Sequence, residues 1–122
     1  MSFKAQLSSI LERVEGGVGA LIMGTDGIAV EKSLGEAGRD ANLDIAAAEY
    51  IAVVRNAQRA SGNMGFGELR ELIVSTDQFH FLLRLLTQEY FLVLVLEQGG
   101  NLGRGRFELR KAELDLAREF SF

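Results

Sequence analysis

Phe3, Leu7, Ile10, Leu11 and Val14 recur at i, i+4, i+7, i+8 and i+11, one stripe of a 3.6-residue period, and predict an opening amphipathic helix. Ser2 is placed to cap it. Gly16-Gly17 supplies the stop, because glycine accepts the left-handed backbone that a helix end often needs. Residues 18–23, Val-Gly-Ala-Leu-Ile-Met, are too short and too evenly apolar for a surface helix. Asp26-Gly27 joins them to Ile28-Ala29-Val30, and two apolar runs joined through Asp-Gly predict a β-hairpin.

A polar loop over 35–41 leads to a long helix over about 43–60, with Asn42 or Asp40 as its cap. Asp44 and Glu49 fall in its early turns, where the helix dipole favours negative charge. Its stripe is Leu43, Ala47, Tyr50, Ile51, Val54 and Ala57, its six alanines keep it slim enough for another helix to approach, and Gly62 is expected to end it. Three strands follow. Residues 69–75 are half polar, with Glu68, Arg70 and Glu71 among the apolar positions. Residues 79–86 carry Phe79, Phe81, Leu83 and Leu85 on one face, and 90–96 are apolar on both faces, as suits a central strand covered on two sides. A last helix over about 102–120 carries Leu109, Ala112, Leu116 and Phe120.

The order α-β-β-α-β-β-β-α, with strands joined by three-residue turns, requires antiparallel pairing and excludes a doubly wound parallel sheet. The expected fold class is α+β: a five-stranded antiparallel sheet with helices on both faces. The last strand belongs at its centre and the half-polar third strand at an edge.

A chain of 122 residues is one ordinary domain, expected to span 1–122. At this size folding removes somewhat more than ~60% of the extended chain's surface from water, so neither disulfide nor metal is needed. A composition of 48% hydrophobic and 25% charged residues is that of a soluble globule. With no cysteine and the single histidine His80, thiolate sites and multi-histidine metal centres are excluded. The net charge of −4 tilts against nucleic acid. The longest apolar run, 90–96, is far short of the ~20 residues of a membrane span, and the amino terminus reads as amphipathic rather than as a signal peptide. The expected address is the cytoplasm, with no direct membrane insertion.

Three stretches, in this order, carry a resemblance. Gly19-Ala20-Leu21-Ile22-Met23-Gly24-Thr25-Asp26-Gly27-Ile28-Ala29, the alanine-rich 43–60, and Asn101-Leu102-Gly103-Arg104-Gly105-Arg106-Phe107-Glu108-Leu109-Arg110-Lys111-Ala112 resemble the first hairpin, central helix and last-helix motif of the roadblock, or dynein light-chain, family. The resemblance covers nearly the whole chain. It implies a profilin- and longin-like fold and a homodimer in which third strands pair into a ten-stranded sheet with central helices side by side. Bacterial MglB-like members bind a small Ras-like GTPase and can speed its hydrolysis. Eukaryotic members serve as dynein subunits or as scaffolds for GTPases on membranes. The residues support a dimer separately, since an edge strand blunted only by Arg70 and Glu71 beside Leu69, Leu72, Ile73 and Val74 is a hazard that pairing with a symmetry mate removes.

Catalytic chemistry is sparse. No Walker-type phosphate loop is present, and Gly16, Gly17 and Gly19 precede a strand instead of following one, so no cofactor is expected. His80 lies opposite the phenylalanine face with no serine or carboxylate suggestively placed beside it in sequence, and reads as structure before general base. Arg104, Arg106, Arg110 and Lys111 are the one basic concentration, open to an anionic-lipid or nucleic-acid reading. With Arg118 they are five cations against Glu108, Glu113, Asp115 and Glu119, a net of +1, which reads as a solvated face with i,i+4 pairs. Arg55 and Arg59, one turn apart, invite an arginine-finger role but read first as solubility and partner contacts.

The expected partner surface is Glu49, Tyr50, Arg55, Asn56 and Arg59, and the expected dimer interface is Ala47, Ile51, Val54, Arg70, Leu72 and Val74. The leading expectation is a non-enzymatic dimeric regulator that binds a small Ras-like GTPase, either binding alone or also modulating its hydrolysis. That the chain ends at Phe122 without the extension of longer MglB-like relatives counts against full activation. The alternatives are a structural adaptor for a non-GTPase protein and a small-ligand sensor with a pocket between sheet and helix.

Overall fold

The computed structural model describes residues 2–36 and 42–120. The proposed capping role of Asp40, and the side chain of Phe120, lie outside what is described. The elements are α1 (Phe3–Arg13), β1 (Gly17–Gly24), β2 (Ala29–Leu34), α2 (Leu43–Asn63), β3 (Glu71–Ser75), β4 (Phe79–Leu85), β5 (Tyr90–Glu97) and α3 (Leu102–Phe120). This is the expected element order.

Ser2 caps α1, its hydroxyl accepting from the Ala5 amide at 3.1 Å. The stop is shared differently from the expectation. Val14 turns extended, Gly16 takes a left-handed φ of 85°, and Gly17 is already the first residue of β1. In the β1–β2 connection the Gly27 amide donates to Gly24 O at 2.9 Å, and Asp26 Oδ1 accepts from the Ile28 amide at 3.0 Å. Gly27 follows with φ 84°, so a four-residue turn and a left-handed glycine close the hairpin together. β2 runs on to Leu34, past the apolar pattern, because an edge strand needs only one covered face: Ser33 is buried while Val30 and Lys32 face out.

Helix α2 extends to Asn63, so Gly62 lies inside it and does not end it. The end is a paired motif: Phe66 N donates to Ser61 O at 2.9 Å and Gly65 N to Gly62 O at 3.2 Å, with Gly65 left-handed at φ 73°. Asn42 makes no side-chain cap bond. Lys32 of β2 instead holds Asp44 in the first turn at 3.0 Å.

The sheet order is β2-β1-β5-β4-β3, antiparallel throughout, with β5 central and β3 at an edge. The two faces of β5 separate cleanly. Leu92, Leu94 and Leu96 join α1 and α3 in one core, whereas Phe91, Val93 and Val95 join α2 in the other. On β1 a register shift between Gly17 and Gly19 leaves Val18 unmatched and puts it on the α2 side with Leu21 and Met23, against simple alternation. Helix α3 lies close on its face of the sheet, because a Cβ on Gly105 would come within 3.1 Å of Leu94 Cδ2 and 3.2 Å of Leu96 Cδ1. β3 begins at Glu71, two residues later than the sequence suggests, although Arg70 O still accepts from the Leu85 amide at 3.1 Å.

Candidate functional site

The expected partner and dimer residues lie on α2 and on or just before the edge strand β3. The structure sorts the expected residues there by helix phase. Ala47, Ile51 and Val54 are 0%, 3% and 1% exposed and pack on the chain's own sheet. They anchor α2 from beneath, on the side turned to the sheet and away from the outer surface of the helix. The large apolar side chains that α2 does present are Ile45 and Val53, 61% and 45% exposed. Sequence reading passed over both because they lie off the main stripe. Their spacing of eight residues was the available signal. Beyond the helix end, Met64 and Phe66 are exposed as well.

Tyr50 is half-buried, its ring tilted 54° over Phe81 at a centroid distance of 4.9 Å, and Phe79 meets Phe81 edge-on. Arg55 lies roughly 140° further round the helix, where its Nη2 donates to the carbonyl of Thr25 in the β1–β2 turn. Arg59, one turn on, shares that flank and is exposed, and Glu49 and Asn56 stand on the crest. The five residues expected to form one strip therefore divide: Tyr50 on the β4 flank, the arginines on the hairpin flank, and the two polar residues between them.

On β3, Leu72 and Val74 are partly buried on the α2 side, Ile73 faces the other core, and the Arg70 side chain is exposed just before the strand. β3 pairs with β4 alone among the described strands, which leaves its outer edge without a ladder partner. Glu71 does not stand out to blunt that edge. It turns toward α3, where Arg106 Nη2 meets it at 2.9 Å and Arg84 Nη1 lies 3.8 Å away. The hydrogen bond from Arg106, and then its charge attraction to Glu71, raise the guanidinium pKa above its usual value. Arg84 also donates from Nε to Glu113 Oε1 at 2.6 Å.

Other acids of α3 depart from the solvated-face expectation too. Glu108 is 2% exposed, with Arg104 Nη2 at 3.3 Å and Arg13 Nη1 at 3.9 Å. Arg104–Glu108 is thus a helical i,i+4 pair, but its carboxylate is buried.

His80 is buried and engaged at both ring nitrogens. The carbonyl of Gln98 can only accept, so Nε2 donates to it at 2.9 Å, while Nδ1 is hydrogen-bonded with the Ser75 hydroxyl at 2.6 Å. Ser75, five residues before His80, is set opposite it by strand register across the β3–β4 turn. The arrangement ties the end of β3 to the loop after β5.

A cleft of about 320 Å³ opens between α1 and α3, lined by Gln6, Ile10, Arg13, Glu108 and Lys111, and another of about 400 Å³ lies by Gln58, Leu69 and Leu85. Among the described residues there is no group of three or more metal-ligating side chains, and no helix is long and apolar enough to cross a membrane.

No family model matches the sequence, and no curated protein matches it. Among solved structures the chain is similar to MglC from Myxococcus xanthus, with 32% identity, 98% of this chain and 99% of that one covered, and a TM-score of 0.69. It is similar as well to a Roadblock/LC7 domain from Streptomyces avermitilis, 15% identical over 100% of both chains with a TM-score of 0.85. The gliding protein MglB from Thermus thermophilus is 20% identical over 93% of this chain and 84% of that one, with a TM-score of 0.83. The last two share the fold. With one-third identity to MglC along both full lengths, on the fold of Roadblock/LC7 domains, the chain belongs to the Roadblock/LC7 family.

Proposed function

We propose that this roadblock domain is a non-catalytic cytoplasmic regulator that works as a homodimer and binds a small Ras-like GTPase. Two observations support the reading: β3 has an open edge among the described strands, and α2 exposes the apolar Ile45 and Val53 on its outer side. An edge strand with free backbone groups, in a sheet whose covering helix exposes apolar side chains outward, suits a self-complementary two-fold contact, strand to strand and helix to helix. One solved MglB has a tetrameric arrangement, which supports self-association in this fold. For the partner, the support is the resemblance to MglB-like members together with the polar crest of Glu49 and Asn56, flanked by Arg59.

A specific observation favours a second reading, an adaptor that holds a partner without hastening hydrolysis. Arg55 already spends its guanidinium on the Thr25 carbonyl, so an arginine finger from that position would have to break this bond first. The test is capture from the source organism's lysate on the tagged domain, once with a non-hydrolysable GTP analogue and once with GDP. Enrichment of a small GTPase in the GTP-like state alone supports the regulator. Recovery of another protein regardless of nucleotide supports the adaptor and overturns the regulator.

A further inference from the structure

The basic segment of α3 balances to nearly zero when its charges are counted along the sequence, but not when they are placed around the helix. Phe107 and Leu114 are 47% and 67% exposed. They stand seven residues apart and so nearly in line on the outer face. Arg104, Arg110, Lys111 and Arg118 all fall within roughly 60° of that line, whereas the four acids fall roughly 80° or more away. Two of those acids are turned inward and neutralised, Glu108 by Arg104 and Arg13 and Glu113 by Arg84. Asp115 and Glu119 remain exposed, on the flank toward α1. Neighbouring α1 adds Lys4 against Glu12, its Arg13 being turned to Glu108.

We infer that this outer face of α3 adsorbs to an anionic lipid surface at headgroup level. Charge complementarity chooses the occupant. Arg110, Lys111 and Arg118 are exposed and flank two projecting apolar side chains, the arrangement in which cations reach lipid phosphates while short apolar groups seat between headgroups. Phe107 is held in place by the Arg104 guanidinium, 5.4 Å from its ring centroid. Neither Phe107 nor Leu114 lines the α1/α3 cleft. They form a ridge, which suits a soft flat surface better than a peptide needing a groove. The α3 face is opposite the α2 face across the sheet, so adsorption leaves the proposed protein-binding side free, and it does not depend on that proposal.

The test is flotation of the purified chain with phosphatidylcholine vesicles, and with phosphatidylcholine vesicles containing phosphatidylglycerol, at low and high salt. A chain of net charge −4 should be repelled by the anionic vesicles if its charge acted as one, so flotation there reports a localised face. The expected result is flotation with anionic vesicles alone, suppressed by salt. It should fall at least about fivefold, roughly 1 kcal/mol, in the Arg110→Glu/Lys111→Glu double variant and in Phe107→Ser/Leu114→Ser. The swap Arg110→Lys/Lys111→Arg should retain it, and circular dichroism should show each variant folded. Absence of flotation by the folded wild type at low salt overturns the inference. So does flotation that survives the charge reversal, or equal flotation on phosphatidylcholine alone. Polyglutamate binding by a chain that ignores vesicles assigns the face to an acidic polypeptide instead, and equally overturns the lipid reading.

Discussion

Arg84 of β4 donates from Nε to Oε1 of Glu113 on α3 at 2.6 Å, with the two side chains only 13% and 21% exposed. The same guanidinium lies 3.8 Å from Glu71 on the edge strand, so one cation ties the least covered strand of the sheet to the helix behind it. Replacing Arg84 with Met leaves two acids near each other without their shared cation. Urea unfolding should show a loss of about 2 kcal/mol, below the full range for a broken buried pair because both partners keep some solvent.

Two charge insertions on one helix should behave differently. Ala47 is 0% exposed on the sheet side of α2 and Val53 is 45% exposed on the outer side. Ala47→Glu buries a charge in a dry core and should cost more than about 4 kcal/mol, read as a collapsed melting transition. Val53→Glu should keep the melting profile of a folded chain at low concentration and lose self-association. Equal melting temperatures for the two variants would show that the helix is phased wrongly.

Gly105 lets α3 lie flat on Leu94, Leu96 and Leu82. Gly105→Val should lower stability by about 1–3 kcal/mol through overpacking, despite valine's better helix propensity. Thermal unfolding followed by circular dichroism checks the sign.

Arg55→Ala removes the donor to the Thr25 carbonyl, on an exposed helix face. Stability should change by less than about 1 kcal/mol. If a GTPase partner is in hand, its hydrolysis rate with the domain should not fall by the roughly 10³-fold expected for loss of an arginine finger. A fall of that size in a single-turnover assay would give Arg55 a direct role.

The fold was largely legible because each strong periodicity had one structural solution. The two-sided apolarity of 90–96 fixes β5 at the centre of the sheet, and the half-polar third strand goes to an edge. Boundaries shifted where backbone chemistry outweighed side-chain pattern. Gly62 stays helical because the chain turns three residues later, at Gly65. Val18 changes face because a bulge adds a residue that alternation does not count. The candidate interaction surface was much less legible. A stripe reading marks the residues that touch the chain's own sheet, Ala47, Ile51 and Val54, and so names the core while seeking the interface. Ile45 and Val53 look like noise until the core is known. In the same way, charge counting along α3 hid the inward turn of Glu108 and Glu113, because it does not show that Glu108 is buried with its i,i+4 partner Arg104 or that Glu113 meets Arg84 of β4, far away in sequence.

The most direct measurement of the central claim is the solution mass of the wild-type chain by light scattering across a dilution series, with Val53→Glu alongside. The account predicts about twice 13.4 kDa for the wild type and a shift of the variant toward one chain. A wild type of 13.4 kDa at every concentration would contradict it, since the open edge of β3 would then have no mate of its own kind.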